Sequence, residues 1–446
     1  MNMKTSSFPR SLATRRPAAI LVAAILFLAG TLAWQTFVVS PETAPSAIGG
    51  ESSVLSGPTI ESEIERLQTR LEQFPDDAEA YAILGLARLQ QVRETGDASL
   101  YTLAEGALDE ALQLDPQQVD ALIGHGLLAL ARHDFRAALE WGQQAFALNP
   151  YRAQPLGIQV DAYIELGEYE KAAETLQAMV DLRPDLASFS RISYVRELYG
   201  DVPGAIEAME QAVKTGTPGH ENTLWTLVQL GHLHFNSGDF ELAEAAYQRA
   251  LSFQGEYPPA LAGVARVYAA HGEYASAIAL LEPVVERFPQ AEYVILLGEL
   301  YEVTGQTELA QQQYDLVRVI QQLNVGVGMD VDLELALFDA DHGGDPALTL
   351  AKAQEAYQRR PSVHAADVLA WALYRNGDYE EAWKTSQEAL RLGTRDALIH
   401  FHAGMIAYAR GDEAATRTHL AEALAINPGF SVRYAWEAIE ILEALK

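Results

Sequence analysis

The chain has 446 residues, no cysteine and a formal charge of −30, from 31 basic and 61 acidic side chains. The missing cysteine excludes disulfides, thiolate metal sites, a cysteine nucleophile and an amino-terminal lipid-modified cysteine. A surface this acidic repels phosphate backbones, so nucleic acid is not an expected partner.

Residues 1–16 form a basic tail, with Lys4, Arg10, Arg15 and Arg16 and no acid. Residues 17–39 hold no charge over 23 positions, enough at helical rise to cross the hydrocarbon of a bilayer. Arg15 and Arg16 precede this run and Glu42 and Glu51 follow it. The positive-inside rule then puts the N terminus in the cytoplasm and the remainder on the exported side. The expectation is a single-pass anchor in the cytoplasmic membrane. The competing reading is a signal peptide cleaved near Ile48, which would leave a secreted protein. Residues 40–59 are rich in Pro, Gly and Ser and read as a flexible linker.

From residue 60 to 446 the chain repeats itself. A turn position recurs at His133, Gly167, Gly200, Gly238, Gly272, Gly305, Gly344, Gly377 and Gly411, at gaps of 34, 33, 38, 34, 33, 39, 33 and 34. Five residues later stands a small side chain: Ala138, Ala172, Ala205, Ala243, Ala277, Ala310 and Ala382. Seventeen residues after the turn comes a proline, at Pro150, Pro184, Pro289, Pro361 and Pro428. Glycine ends a helix because it turns through positive φ without a Cβ clash. The Asp or Glu that often follows caps the next helix. Alanine lets two helices cross closely, and proline ends the second helix because it lacks the next backbone donor.

These residues resemble the tetratricopeptide repeat, a 34-residue helix-turn-helix unit. The resemblance runs from about Asp76 to Pro428, with an earlier unit admitted by a seven-residue insertion around Tyr81, Gly85, Ala104 and Pro116. It implies an all-α solenoid of about ten units, in which each unit touches only its neighbours. A capping helix is expected within Phe430–Lys446. Thr349 and Thr416 replace the usual alanine, which predicts looser helix crossings there.

No phosphate-binding loop, zinc-protease or nucleophile-elbow motif occurs. Asp339, Asp341 and Asp345 lie close in sequence, but on a repeat turn and without the glutamate that closes a calcium loop. His400 and His402 stand two apart on a helix and point different ways, as do His232 and His234. A zinc site from His364, His402 and Asp367 is conceivable, but the expectation is no metal and no cofactor.

Function in such a stack is expected on the concave face, formed mainly by the first helix of each unit. Helical spacing puts His364, Asp367, Trp371 and Tyr374 there in the ninth unit. In the tenth it puts Leu398, Phe401, Met405 and Tyr408, with His402 on the border, and in the fifth Trp225, Val228, His232 and Phe235. Aromatics in a groove suit peptide binding, and equally suit stacking on a sugar ring. They also suit plain packing between units. The resulting expectation is a membrane-anchored, non-enzymatic scaffold that binds protein or peptide partners at the bacterial envelope. A glycan-binding module is the alternative.

Overall fold

The computed structural model describes residues 59–446. The basic tail, the anchor and most of the linker lie outside the described residues. No helix among the described residues is long and apolar enough to cross a membrane.

Among the described residues the chain forms twenty-two α-helices and no strand. The first, α1 (Ile60–Gln73), stands alone. Ten antiparallel pairs follow. Units one to five are α2/α3 (Ala78–Thr95, Leu100–Leu114), α4/α5 (Val119–Ala131, Phe135–Leu148), α6/α7 (Gln154–Glu165, Tyr169–Leu182), α8/α9 (Leu186–Leu198, Val202–Thr215) and α10/α11 (Glu221–Asn236, Phe240–Phe253). Units six to ten are α12/α13 (Pro258–Ala270, Tyr274–Arg287), α14/α15 (Ala291–Val303, Thr307–Gly326), α16/α17 (Asp332–Asp341, Pro346–Arg359), α18/α19 (Val363–Asn376, Tyr379–Ala389) and α20/α21 (Ala397–Ala409, Glu413–Ile426). The single helix α22 (Tyr434–Ala444) closes the stack, inside the stretch expected to cap it. Helix α1 lies ahead of the recognisable repeat and buries Ile64, Leu67 and Leu71 against α2.

The turn positions take up the left-handed conformation glycine allows, including Gly167 at φ 69° and Gly377 at φ 90°. In the eighth unit the turn residue is Gly343, at φ 77°, and not Gly344. Both fit the spacing, and helix α16 ends at Asp341, early enough to turn at the first. His133 takes the same conformation at φ 61° without being glycine. The following acid caps the second helix through its side chain at Asp134, Asp201 and Asp412. Thr416 is fully buried, with its hydroxyl bonded to the Asp412 carbonyl. The buried Thr349 hydroxyl has no such partner. Of the two threonine crossings, only that at Thr349 leaves a polar atom unmet.

Units do not touch only their neighbours. The Asp330 N–H donates to the Arg132 carbonyl at 2.9 Å. The Val363 N–H donates to the Tyr169 hydroxyl at 2.7 Å. The Thr394 hydroxyl donates to the Leu198 carbonyl at 2.6 Å, and the Asn427 amide to the Phe235 carbonyl at 2.8 Å. These side-chain bonds span 194, 196 and 192 positions of sequence. The stack therefore coils through a full superhelical turn in about five and a half units and lies down on itself. The intra-unit turns of the first five units meet the inter-unit loops of the last five along one seam. The first helices are deeply enclosed by the units on either side: α18 buries Val363 and every residue from Ala365 to Leu373.

Candidate functional site

Of the expected groove residues, Trp371 is 2% exposed, Phe401 and His402 are fully buried, and Asp367, Met405 and Phe235 are buried too. Trp371 stacks on His402 with centroids 4.2 Å apart, and Phe401 stacks on Tyr434 of α22 at 4.7 Å. Inside this core, His402 Nδ1 lies 2.9 Å from an Asp367 carboxylate oxygen. Burial pushes the His402 imidazole down, but the charge and hydrogen bond of Asp367 outweigh it and hold it above its ordinary value. Tyr374 and His364 are half-buried. The ring of Tyr374 stacks on Trp371.

In the fifth unit Trp225 is exposed and Val228 is buried. Phe235 carries the Arg266 guanidinium over its ring at 4.3 Å. His232 Nδ1 shares a hydrogen bond with the Tyr247 hydroxyl at 2.8 Å. Burial, with the nearby Arg266 adding to it, holds His232 down at about 3. So Trp225 and Tyr408 are the expected groove aromatics that present a large exposed face.

The three neighbouring aspartates diverge. Asp339 is buried between Arg318 at 3.0 Å and Lys352 at 3.2 Å. Asp341 accepts from the Trp371 indole and the Tyr434 hydroxyl. Asp345 caps α17. No group of three or more histidine or acidic side chains among the described residues is arranged to hold a metal ion.

The seam is what sequence reasoning missed. Beneath it lies a cavity of about 400 Å³, walled by Phe135, Glu165 and Tyr194 of the first superhelical turn and by Glu334 and Arg360 of the second. Arg360 is 5% exposed, bonds Glu334 at 2.7 Å and stands over the Phe135 ring at 5.8 Å. Burial raises the Glu165 carboxyl against the pull of Arg360, His364 and His133. Phe135 and Tyr169, each two residues after a turn, are buried under the second superhelical turn.

On the last five units no described residue covers the same positions. A Cβ built at Gly272, Gly305, Gly343, Gly377 or Gly411 would meet nothing within 4 Å. A Cβ at Gly167 would lie 2.5 Å from the Pro361 carbonyl oxygen, and one at Gly200 would strike that of Gly393. Tyr379, the counterpart of Tyr169, is 40% exposed. It lines an open cleft of about 780 Å³ with Leu350, Leu373, Glu380, Glu381 and Arg410. Tyr408 stands exposed near the end of the neighbouring helix α20. This edge presents shape, aromatic surface and charge.

Family models described as tetratricopeptide repeat match residues 159–221, 201–256, 234–300 and 368–429. The chain is 22% identical over 305 residues to a protein CTR9 homolog of Arabidopsis thaliana, covering 66% of this chain and 27% of that protein. It is 26% identical over 333 residues to cellulose synthase operon protein C of Xanthomonas axonopodis pv. citri, covering 71% and 19%. The chain thus spans less than a third of the length of either relative. Among solved structures, a thermophilic tetratricopeptide-repeat protein of Thermus thermophilus aligns at a TM-score of 0.36 and 21% identity, over 44% of this chain and 99% of that one. The helix pairs built by 159–300 and 368–429 are tetratricopeptide repeats.

Proposed function

We propose that the chain is a non-enzymatic scaffold, anchored in the cytoplasmic membrane by residues 17–39, that assembles protein partners on the exported side. The supporting observation is the asymmetry of the seam: among the described residues five turns are covered by the chain itself and five equivalent turns are bare. On the bare turns a partner finds exposed Tyr379 and Tyr408, the cleft beside them and acids at Asp378, Glu380 and Glu381. Aromatic anchors ringed by charge are how protein interfaces concentrate affinity. Trp225 on the fifth unit is a third exposed aromatic for the same purpose.

The test is capture from solubilised membranes by the full chain and by its Tyr379→Ala, Tyr408→Ala variant, with helix content checked by circular dichroism. A defined protein lost only with the variant supports the reading. Identical capture by both proteins removes the bare edge from the function. Labelling of residues on either side of 17–39 by a membrane-impermeant reagent in whole cells tests the anchor and its orientation.

A further inference from the structure

The seam also specifies what chemistry fits its own uncovered half. Four features of the second superhelical turn hold the first. The Pro361 carbonyl sits against Gly167, and the Arg391 guanidinium lies over the Tyr169 ring at 5.3 Å. Gly393 packs on Gly200, and Thr394 bonds the Leu198 carbonyl. The sequence carries the same residue types once more, on loops of its third and fourth units that no described residue of the other superhelical turn covers: Arg183-Pro184 for Arg360-Pro361, Lys214 for Arg391, and Gly216-Thr217 for Gly393-Thr394, with Gly216 at φ −76° where Gly393 stands at 76°. The spacing repeats too. Arg183 to Lys214 and Arg360 to Arg391 are both 31 positions, and Pro184 to Gly216 and Pro361 to Gly393 are both 32. The receiving side is repeated as well, with Gly377, Tyr379 and Gly411 standing where Gly167, Tyr169 and Gly200 do.

We infer that the occupant of the bare edge is a second copy of this chain, docked head to tail so that its Arg183–Thr217 loops cover Tyr379 and the turns at Gly377 and Gly411. This rests on reading the bare edge as a docking edge. Three observations support it. The contact continues an interface the chain already makes with itself. Its charges are complementary by exchange of local pairs: Arg183 and Lys214, with side-chain exposures of 67% and 61%, pair with Asp185 and Glu210, Glu380 and Glu381 pair with Arg410 and Lys384, and docking sets the two cations against the acids at 378, 380 and 381. The register also leaves the place of one helix pair between the two stacks, which the unpaired α22 of one copy and the unpaired α1 of the next fill. Trp436 on α22 is 66% exposed. Such a contact is heterologous, so it does not close at two copies and propagates along a line. The net charge opposes it at long range, so association strengthens as salt screens the acidic surfaces, until the salt reaches the local pairs.

Sedimentation velocity on the detergent-solubilised full chain tests this, comparing wild type with Tyr379→Ala and Lys214→Glu. Wild type is expected to show a sedimentation coefficient that climbs with loading concentration past the dimer value. Each variant alone stays at the monomer value, with unchanged circular dichroism. An equimolar mixture of the two variants gives a dimer and nothing larger, because one intact edge of each kind remains. Monomeric wild type throughout, association of either variant alone like wild type, or a mixture that stays monomeric overturns the inference. If wild type is monomeric but Tyr379→Ala still loses a partner protein from membranes, the edge remains a docking edge and only its occupant changes.

Discussion

The Val363 N–H and the Tyr169 hydroxyl meet at 2.7 Å in a buried setting, 194 positions apart. One belongs to the start of the ninth unit's first helix and the other to the start of the third unit's second helix. In a stack held only by nearest neighbours they would never meet. Removing the hydroxyl with Tyr169→Phe keeps the ring and strands a buried N–H. The expected loss is ~1–3 kcal/mol of unfolding free energy. Urea titration measures it. Faster amide exchange at Val363 in the variant would locate the loss at the seam.

Two glycine substitutions separate backbone strain from the seam. Gly167→Ala and Gly377→Ala both force alanine into the left-handed region, at φ 69° and 90°, at a cost of roughly 1–2 kcal/mol each. Only the first also drives a Cβ to 2.5 Å from a backbone oxygen of the other superhelical turn. Gly167→Ala is expected to be the more destabilising by a margin of 1 kcal/mol or more, on the order of an overpacked contact. Equal losses would mean that the two turns of the superhelix are not held together in solution.

Trp371→Ala and Phe401→Ala are each expected to cost about 3–5 kcal/mol, the range for emptying a large aromatic site in a core. Phe401 packs against Phe430 and Tyr434, so its loss should also loosen α22. Thermal melts and limited proteolysis near residue 434 read both effects. A partner-binding defect in these variants without a stability loss would contradict their placement in the core.

Two histidines give opposite pH dependences. His232 is held at about 3 when folded, against ~6.5 unfolded. The unfolded chain takes up a proton there that the folded chain refuses. Stability is therefore full above ~6.5 and falls as pH drops toward 3, by up to ~1.4 kcal/mol per unit. His402 is raised by Asp367. Its contribution is full below ~6.5 and is lost as pH rises through the folded value. Chemical denaturation from pH 4 to 9 should show His232→Gln flattening the acid limb and His402→Gln flattening the alkaline limb.

The repeat was legible because its signals are local. A helix pair needs a left-handed residue, a small side chain and a stop within 34 positions, and each leaves a letter in the sequence. Gly343 against Gly344 was ambiguous because the two glycines are adjacent. Helix α1 carries neither the turn nor the crossing alanine. The groove aromatics were placed correctly on the first helices, but helical spacing does not tell an open face from one pressed against another layer. Trp371 is enclosed by its neighbours His402 and Tyr434. The seam depends on superhelical pitch, which sums small rotations over more than five units. The echo of Arg360-Pro361 in Arg183-Pro184 was the available trace of it.

The seam also gives the molecule a clock. Tyr169 leaves the ribosome 194 residues before Val363 does. At ordinary rates of synthesis, 5–20 residues per second, that is about 10–40 s in which the first half of the stack exists without its clasp. The early units must hold themselves together, or be held by others, until the later ones arrive and lie down upon them.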